Sequence, residues 1–210
     1  KAQVAIQKSP PGGDWWNGSA FVSTARVWLD DSSHSWPDWV LTGASTPTWV
    51  TDTKYRVEAR SFDVSRNTST VATQEFVYDT QLPVARTTVP AGAYISSLKY
   101  IEGTSADSNS LGKIERVELR VKNTGANAYW SWADKDYTIS AANLAWYVAS
   151  STVSPAYSSW FSTGTPPGKP DGVNFVSGID YEIQSRALDK ASNYDNVYST
   201  KTFRFDSETP

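Results

Sequence analysis

Apolar and polar residues alternate through YRVEARSFDVSRN at residues 55–67, with Tyr55, Val57 and Ala59 on one side and Arg56, Glu58 and Arg60 on the other. An extended backbone points successive side chains to opposite faces, so the pattern predicts a strand with Tyr55 and Val57 buried and Arg56 and Glu58 exposed. The alternation breaks at Asp63 and Asn67. Short polar side chains of this kind bond their own backbone and tolerate left-handed conformations, which predicts a turn toward a partner strand, met at QEFVY, residues 74–78. The chain then writes the stretch again. Residues 181–193 read YEIQSRALDKASN, at an offset of 126 (181 − 55), with TFRF following at 202–205. Here Tyr181 and Ile183 are the inward positions, and Glu182 and Gln184 the outward ones.

Other segments pair in the same way. QVAIQ at residues 3–7 matches RVELR at 116–120, and Trp16, Trp28, Trp39 and Trp49 match Trp130, Trp146, Trp160 and Phe175. The offset grows from 113 (116 − 3) to 126 (175 − 49), so loops lengthen in the second copy, above all at residues 165–170 (TPPGKP), a surface insertion. Copy one closes on DTQLP at 79–83 and copy two on DSETP at 206–210, which sets two domains, residues 1–83 and 84–210. Copy two opens with LKYIEGTSAD at 98–107, a segment without a counterpart in copy one. Copy one is therefore expected to lack its first strands and to be completed from outside its own repeat, by preceding residues or a neighbouring molecule. No stretch sustains a 3.6-residue apolar period, and Gly, Pro, Ser, Thr and Asn recur at short intervals, so the chain reads as all-β.

With the repeat laid out, the chain resembles the bacterial immunoglobulin-like domains strung in tandem through very long secreted or cell-surface proteins. The landmarks are IEGTSAD at 101–107, IERVELRV at 114–121, Trp16-Asn17-Gly18 with Trp28-Leu29, and the Tyr-to-Asn stretch followed by Asp79-Thr80 and Pro83. The resemblance covers nearly the whole chain. It implies two tandem immunoglobulin-like β-sandwiches, the first truncated at its N-terminus, acting outside the cell as spacers or adhesive modules without catalysis. It also implies that Tyr55 and Tyr181 form the tyrosine corner of such sandwiches, the hydroxyl tied back to the backbone.

Composition narrows the partners. A net charge of −3 leaves no electrostatic footprint for nucleic acid, and no apolar run is long enough for a membrane span. Without Cys, disulfides and thiolate metal sites are excluded, and without Met the chain reads as a window cut from something longer. The paired aromatics Trp16, Trp130, Trp28 and Trp146 are expected to serve as core or sheet-face packing. Trp36, Trp132 and Tyr157 stand outside the pairing or beside growing loops, and are the candidates for contact with a ligand such as a surface glycan. Asp63 with Asn67, and Asp189 with Asn193, are either turn caps or part of a calcium site, the one cofactor in view. Calcium is not expected to be required for the fold, since it needs six to eight oxygens. Arg60 and Arg186 are placed across a sheet edge from a carboxylate. Asn17 and Asn67 open N-glycosylation sequons.

Catalytic chemistry is poorly supplied. His34, the single His, lies in the Ser-rich stretch DSSHS and reads as a solvated loop residue. No G-x-S-x-G elbow is present, and the acidic pairs Asp30-Asp31, Glu115/Glu118 and Asp134/Asp136 do not recur between copies. The chain is thus expected to be no enzyme but a structural repeat module, partnered by neighbouring repeats or copies of itself and able to polymerise head-to-tail. The alternative is an adhesin or carbohydrate-binding module using exposed aromatics.

Overall fold

In the computed structural model, which describes residues 1–35, 37–108, 111–151, 157–162 and 173–208, each copy of the repeated stretch forms a central strand of a large sheet, antiparallel to both of its neighbours. The chain divides into unit 1, Lys1–Thr80 with Leu111, and unit 2, Gln81–Ser108 with Gly112–Pro210.

Unit 1 contains β1 (Ala2–Lys8), β2 (Trp15–Trp16), β3 (Phe21–Ser23), β4 (Leu29–Asp30), β5 (Ser33–Ser35), β6 (Asp38–Val40), β7 (Thr53–Ser61) and β8 (Ala72–Tyr78). Its sheet runs β3-β2-β1-β7-β8, with β4 also on β1, while among the described residues β5 and β6 pair only with each other. Register follows the alternation: Val4 faces Ala59, Ile6 faces Val57, and Tyr55 faces Phe76. Val4, Ile6 and Trp16 are the buried centre, with Leu29, Trp39, Trp49 and Val57 packed half-buried around them.

Unit 2 repeats that sheet and adds another. Its strands are β9 (Val84–Val89), β10 (Tyr94–Ile95), β11 (Glu102–Ala106), β12 (Ile114–Asn123), β13 (Ala128–Ser131), β14 (Asp136–Ile139), β15 (Tyr147–Val148), β16 (Ser159–Phe161), β17 (Ile179–Asp189) and β18 (Ser199–Phe205). The large sheet runs β10-β18-β17-β12-β13-β14, with β15 also on β12, and a small sheet runs β16-β11-β9. Val117, Leu119, Ile183, Trp130 and Trp160 are sealed in the core, where Ala85 and Ile101 meet them from the small-sheet side. The chain is all-β, an immunoglobulin-like sandwich in unit 2 and the matching large sheet with a hairpin in unit 1.

The strand alternation needs correcting on both faces. Val57, expected to be buried, is half-buried; of the residues expected to be exposed, Glu58 is only 4% exposed, and Arg56, Glu182 and Gln184 are half-buried. The outward face of each large sheet is covered as well as the inward one, by the aromatic and guanidinium groups described next.

Candidate functional site

Trp28 and Trp146 occupy matching positions one residue before an edge strand, in unit 1 before Leu29, which packs into the core. Period two therefore turns Trp28 to the opposite face, and both indoles are half-buried. A guanidinium from the repeated strand stacks on each: Arg60 at 4.0 Å from the Trp28 ring centroid, Arg186 at 4.1 Å from that of Trp146. Each indole has a second cation. In unit 1 it is Arg26, 5.5 Å from Trp28 and 5.2 Å from Trp15; in unit 2 it is Arg120, 4.3 Å from Trp146 and 5.1 Å from Tyr129. The stacks extend to Phe62 beside Arg60 and to Tyr194 beside Arg186. Such contacts contribute about 0.5–1 kcal/mol each when exposed and about 2 when desolvated.

The planar donors of these arginines are engaged across strands. Arg60 donates from Nε (2.9 Å) and Nη2 (2.6 Å) to the amide oxygen of Gln3. Its acceptor is thus an amide where the sequence pointed to a carboxylate. Arg186 does meet a carboxylate, Glu118 at 2.6 Å, but between the paired central strands β12 and β17 and not at an edge. Arg116 takes the other oxygen of Glu118 at 2.7 Å. Where Glu118 stands, unit 1 has Ala5; its buried acid is Glu58, ion-paired to Arg26 at 2.8 Å. Arg26 and Arg120 escape sequence reasoning because they come from unmatched positions, Arg26 from the stretch between β3 and β4 and Arg120 from β12. For Arg26 the available signal is its position two residues before Trp28, on the same side of an extended chain.

The tyrosines and turns are built alike in both units. Tyr55 and Tyr181 are fully buried, and each hydroxyl accepts a backbone N–H from five residues upstream, Val50 at 3.0 Å and Val176 at 2.8 Å. Trp49 and Phe175 set their rings edge-on to them at 4.8 and 4.9 Å. Burial pushes the Tyr181 hydroxyl above its ordinary pKa, and the Tyr137 hydroxyl beside it is pushed up for the same reason. In the turns, Asp63 accepts the Asn67 backbone N–H (2.8 Å) and side-chain amide (2.7 Å), while Asp189 does the same with Asn193 at 2.8 Å each. These bonds hold the Asp63 carboxyl below its usual range. Both carboxylate oxygens are thereby used by the turn itself.

The remaining candidates are dispersed. Trp16 and Trp130 are buried, as is Trp160. Trp132 is half-buried, stacked on Tyr147 at 4.1 Å and edge-on to Trp130. Tyr157 packs against the core of unit 2, and its carbonyl accepts the Ser105 hydroxyl. Neither ring stands free of the fold. Trp36 and residues 163–172, with the insertion at 165–170, lie outside the described residues. His34 is placed on β5 and not in a loop, its Nδ1 2.6 Å from Asp31, whose carboxyl it holds low. A surface groove of about 420 Å³ in unit 2 is lined by Tyr94, Thr124, Asp180, Thr202 and Arg204, with Tyr94 75% exposed.

No family model matches the chain, and no curated protein matches it. Among solved structures it is similar to the fibronectin(III)-like modules of Clostridium thermocellum CbhA, at 14% identity, 97% coverage of this chain, 77% coverage of that chain and a TM-score of 0.37. The sandwich architecture rests on the chain's own strand order and core.

Proposed function

We propose that the chain is a structural repeat module, a spacer, stalk or fibre segment, of an extracellular or cell-surface protein. The observation that carries this reading is what the two units share. Tyr55 and Tyr181, Asp63–Asn67 and Asp189–Asn193, and Arg60 and Arg186 on Trp28 and Trp146 all spend their polar groups and ring faces on contacts within their own unit. A repeat that preserves its bracing preserves mechanics.

The second reading, an adhesin or carbohydrate-binding module, has the Tyr94 groove in its favour. An exposed ring beside Asp180, Arg204 and two threonines offers a stacking face with polar groups around it. A glycan array probed with the wild-type chain, Tyr94→Ala and Trp132→Ala separates the two. The spacer reading expects no glycan retained by any of them. Retention by the wild type that disappears in Tyr94→Ala, with the thermal midpoint unchanged, sinks the spacer reading and establishes the other. Trp160 is unsuited as a control because it is fully buried.

A further inference from the structure

The two N-glycosylation sequons, Asn17-Gly18-Ser19 and Asn67-Thr68-Ser69, are equivalent as sequence, and Asn17, Ser19, Asn67 and Ser69 are all exposed. Hydrogen bonding separates them. Asn17 opens the turn between β2 and β3, where Gly18 at φ +98° brings Ser19 back over the Asn17 amide. Asn17 Oδ1 accepts the backbone N–H groups of Ser19 (2.9 Å) and Ala20 (2.8 Å) and the Ser19 hydroxyl (2.9 Å). In a side-chain amide only the oxygen can accept a backbone N–H, so these bonds fix which way the group is turned. Among the described residues, Asn17 Nδ2 donates to none. The turn sits at the head of β3, the last strand of the unit 1 sheet on that side, so a bulky addition there has room.

The second sequon is closed. Asn67 Nδ2 donates to Asp63 Oδ2 (2.7 Å), and the Asn67 backbone N–H to Asp63 Oδ1 (2.8 Å). The Ser69 hydroxyl accepts the Ser61 N–H (2.9 Å) and donates to the Thr70 carbonyl (2.9 Å). The Ser69 N–H returns to the Ser61 carbonyl at 2.9 Å. Both groups that a glycosylating enzyme reads, the amide and the hydroxyl two residues on, thus hold the turn after β7 together. Releasing Asn67 breaks a bond to an ionised carboxylate, one of the stronger kinds. Releasing Asn17 Nδ2 breaks nothing.

We propose that Asn17 is the acceptor of an N-linked glycan in the folded chain and that Asn67 is not. The donor is an oligosaccharide carried on a polyprenyl diphosphate. A bond forms between Asn17 Nδ2 and C1 of the first sugar, the bond from C1 to the diphosphate oxygen breaks with its electron pair going to the diphosphate, and Nδ2 gives up one proton. This inference goes beyond both readings of the function, since a spacer and an adhesin alike can carry a glycan at that turn.

The test incubates the folded full chain with a single-subunit oligosaccharyltransferase and its lipid-linked donor, then locates glycans by intact mass and peptide mapping. Peptides of residues 12–22 and 62–72 serve as unfolded controls, since a lone two-stranded hairpin is marginal in water. The wild type is expected to take one glycan, at Asn17, with occupancy at Asn67 lower by about tenfold or more because only the locally opened turn reacts. Asn17→Gln should remove that glycan, and Asp63→Ala, which frees the Asn67 amide, should add one at Asn67. Both peptides should be modified. No glycan at Asn17 of the folded chain, or none on the 12–22 peptide, overturns the acceptor. Equal occupancy of Asn17 and Asn67 in the folded wild type overturns the lock on Asn67, as does an unmodified 62–72 peptide or an Asp63→Ala chain with no gain there.

Discussion

A Cβ on Gly103 would lie 2.1 Å from the Trp160 ring and 2.2 Å from the carbonyl oxygen of Arg86. One of those neighbours is backbone and the other a fully buried indole, so neither yields cheaply. Gly103→Ala is expected to destabilise unit 2 by about 1–3 kcal/mol through overpacking, read as a lower urea midpoint; an unchanged midpoint would show that β11 can retreat. At Tyr181 two substitutions separate ring from hydroxyl. Tyr181→Phe leaves the Val176 N–H unpaired and should cost about 1–3 kcal/mol, whereas Tyr181→Ala also empties ring volume from the core and should cost about 3–5. Equal losses in the two variants would mean that the hydroxyl alone carries the effect. The tyrosines were legible in sequence because their whole setting is local and occurs twice. Gly103 was visible only as a letter in IEGTSAD, since its reason, the Trp160 ring, lies 57 positions further on (160 − 103).

Strands β1, β7, β12 and β17 follow directly from alternation, because a buried face imposes period two. The hairpin β5–β6 and the short β10 have no such signature; the hairpin strands are exposed apart from Trp39, and β10 is held by β18, far away in sequence. The same division holds on the outer face of the large sheets. Trp28 and Trp146 were readable as sheet-face aromatics, but their second cations come from unmatched positions, the stretch between β3 and β4 in unit 1 and β12 in unit 2. Glu118 joins Arg116 and Arg186 in unit 2 with only 7% exposure. Glu118→Gln keeps the shape and removes the charge between two guanidiniums, so a loss of about 1–3 kcal/mol is expected, measured by chemical denaturation. In the Asp–Asn turns each carboxylate already accepts two bonds, one on each oxygen. Thermal melts in excess calcium and in chelator should therefore coincide, and a rise of many degrees with calcium would show tight binding to the native state.

Across the molecule, the two units are expected to fail at opposite ends of the pH scale. In unit 1 four carboxyls lie below their ordinary values: Asp30 through the Gln3 amide and Lys1, Asp31 through His34, Asp63 through Asn67, and Glu75 through Lys54 and Arg56. Among the described residues unit 2 has one, Asp134, through Ser131 and Thr138. A lowered carboxyl adds stability above its unfolded pKa, 3.8 for Asp and 4.5 for Glu, and loses it as pH falls through the folded value. The raised hydroxyls of Tyr137 and Tyr181 act in the other direction, adding stability below the unfolded value of 10.0 and losing it as pH rises beyond. Amide exchange should show unit 1 loosening first in acid below about pH 4 and unit 2 first in alkali; the reverse order in either limb would refute the assignment. The parallel pairing of β10 with β18 has a consequence of another kind. It joins an early strand of unit 2 to the last one, through Arg204 N–H on Ala93 (2.7 Å) and Asp206 N–H on Ile95 (2.9 Å). Tension entering near Gln81 and leaving beyond Phe205 pulls these parallel segments lengthwise past each other. Their hydrogen bonds are then loaded together in shear instead of unzipping one by one, which makes this short contact a clamp against stretching.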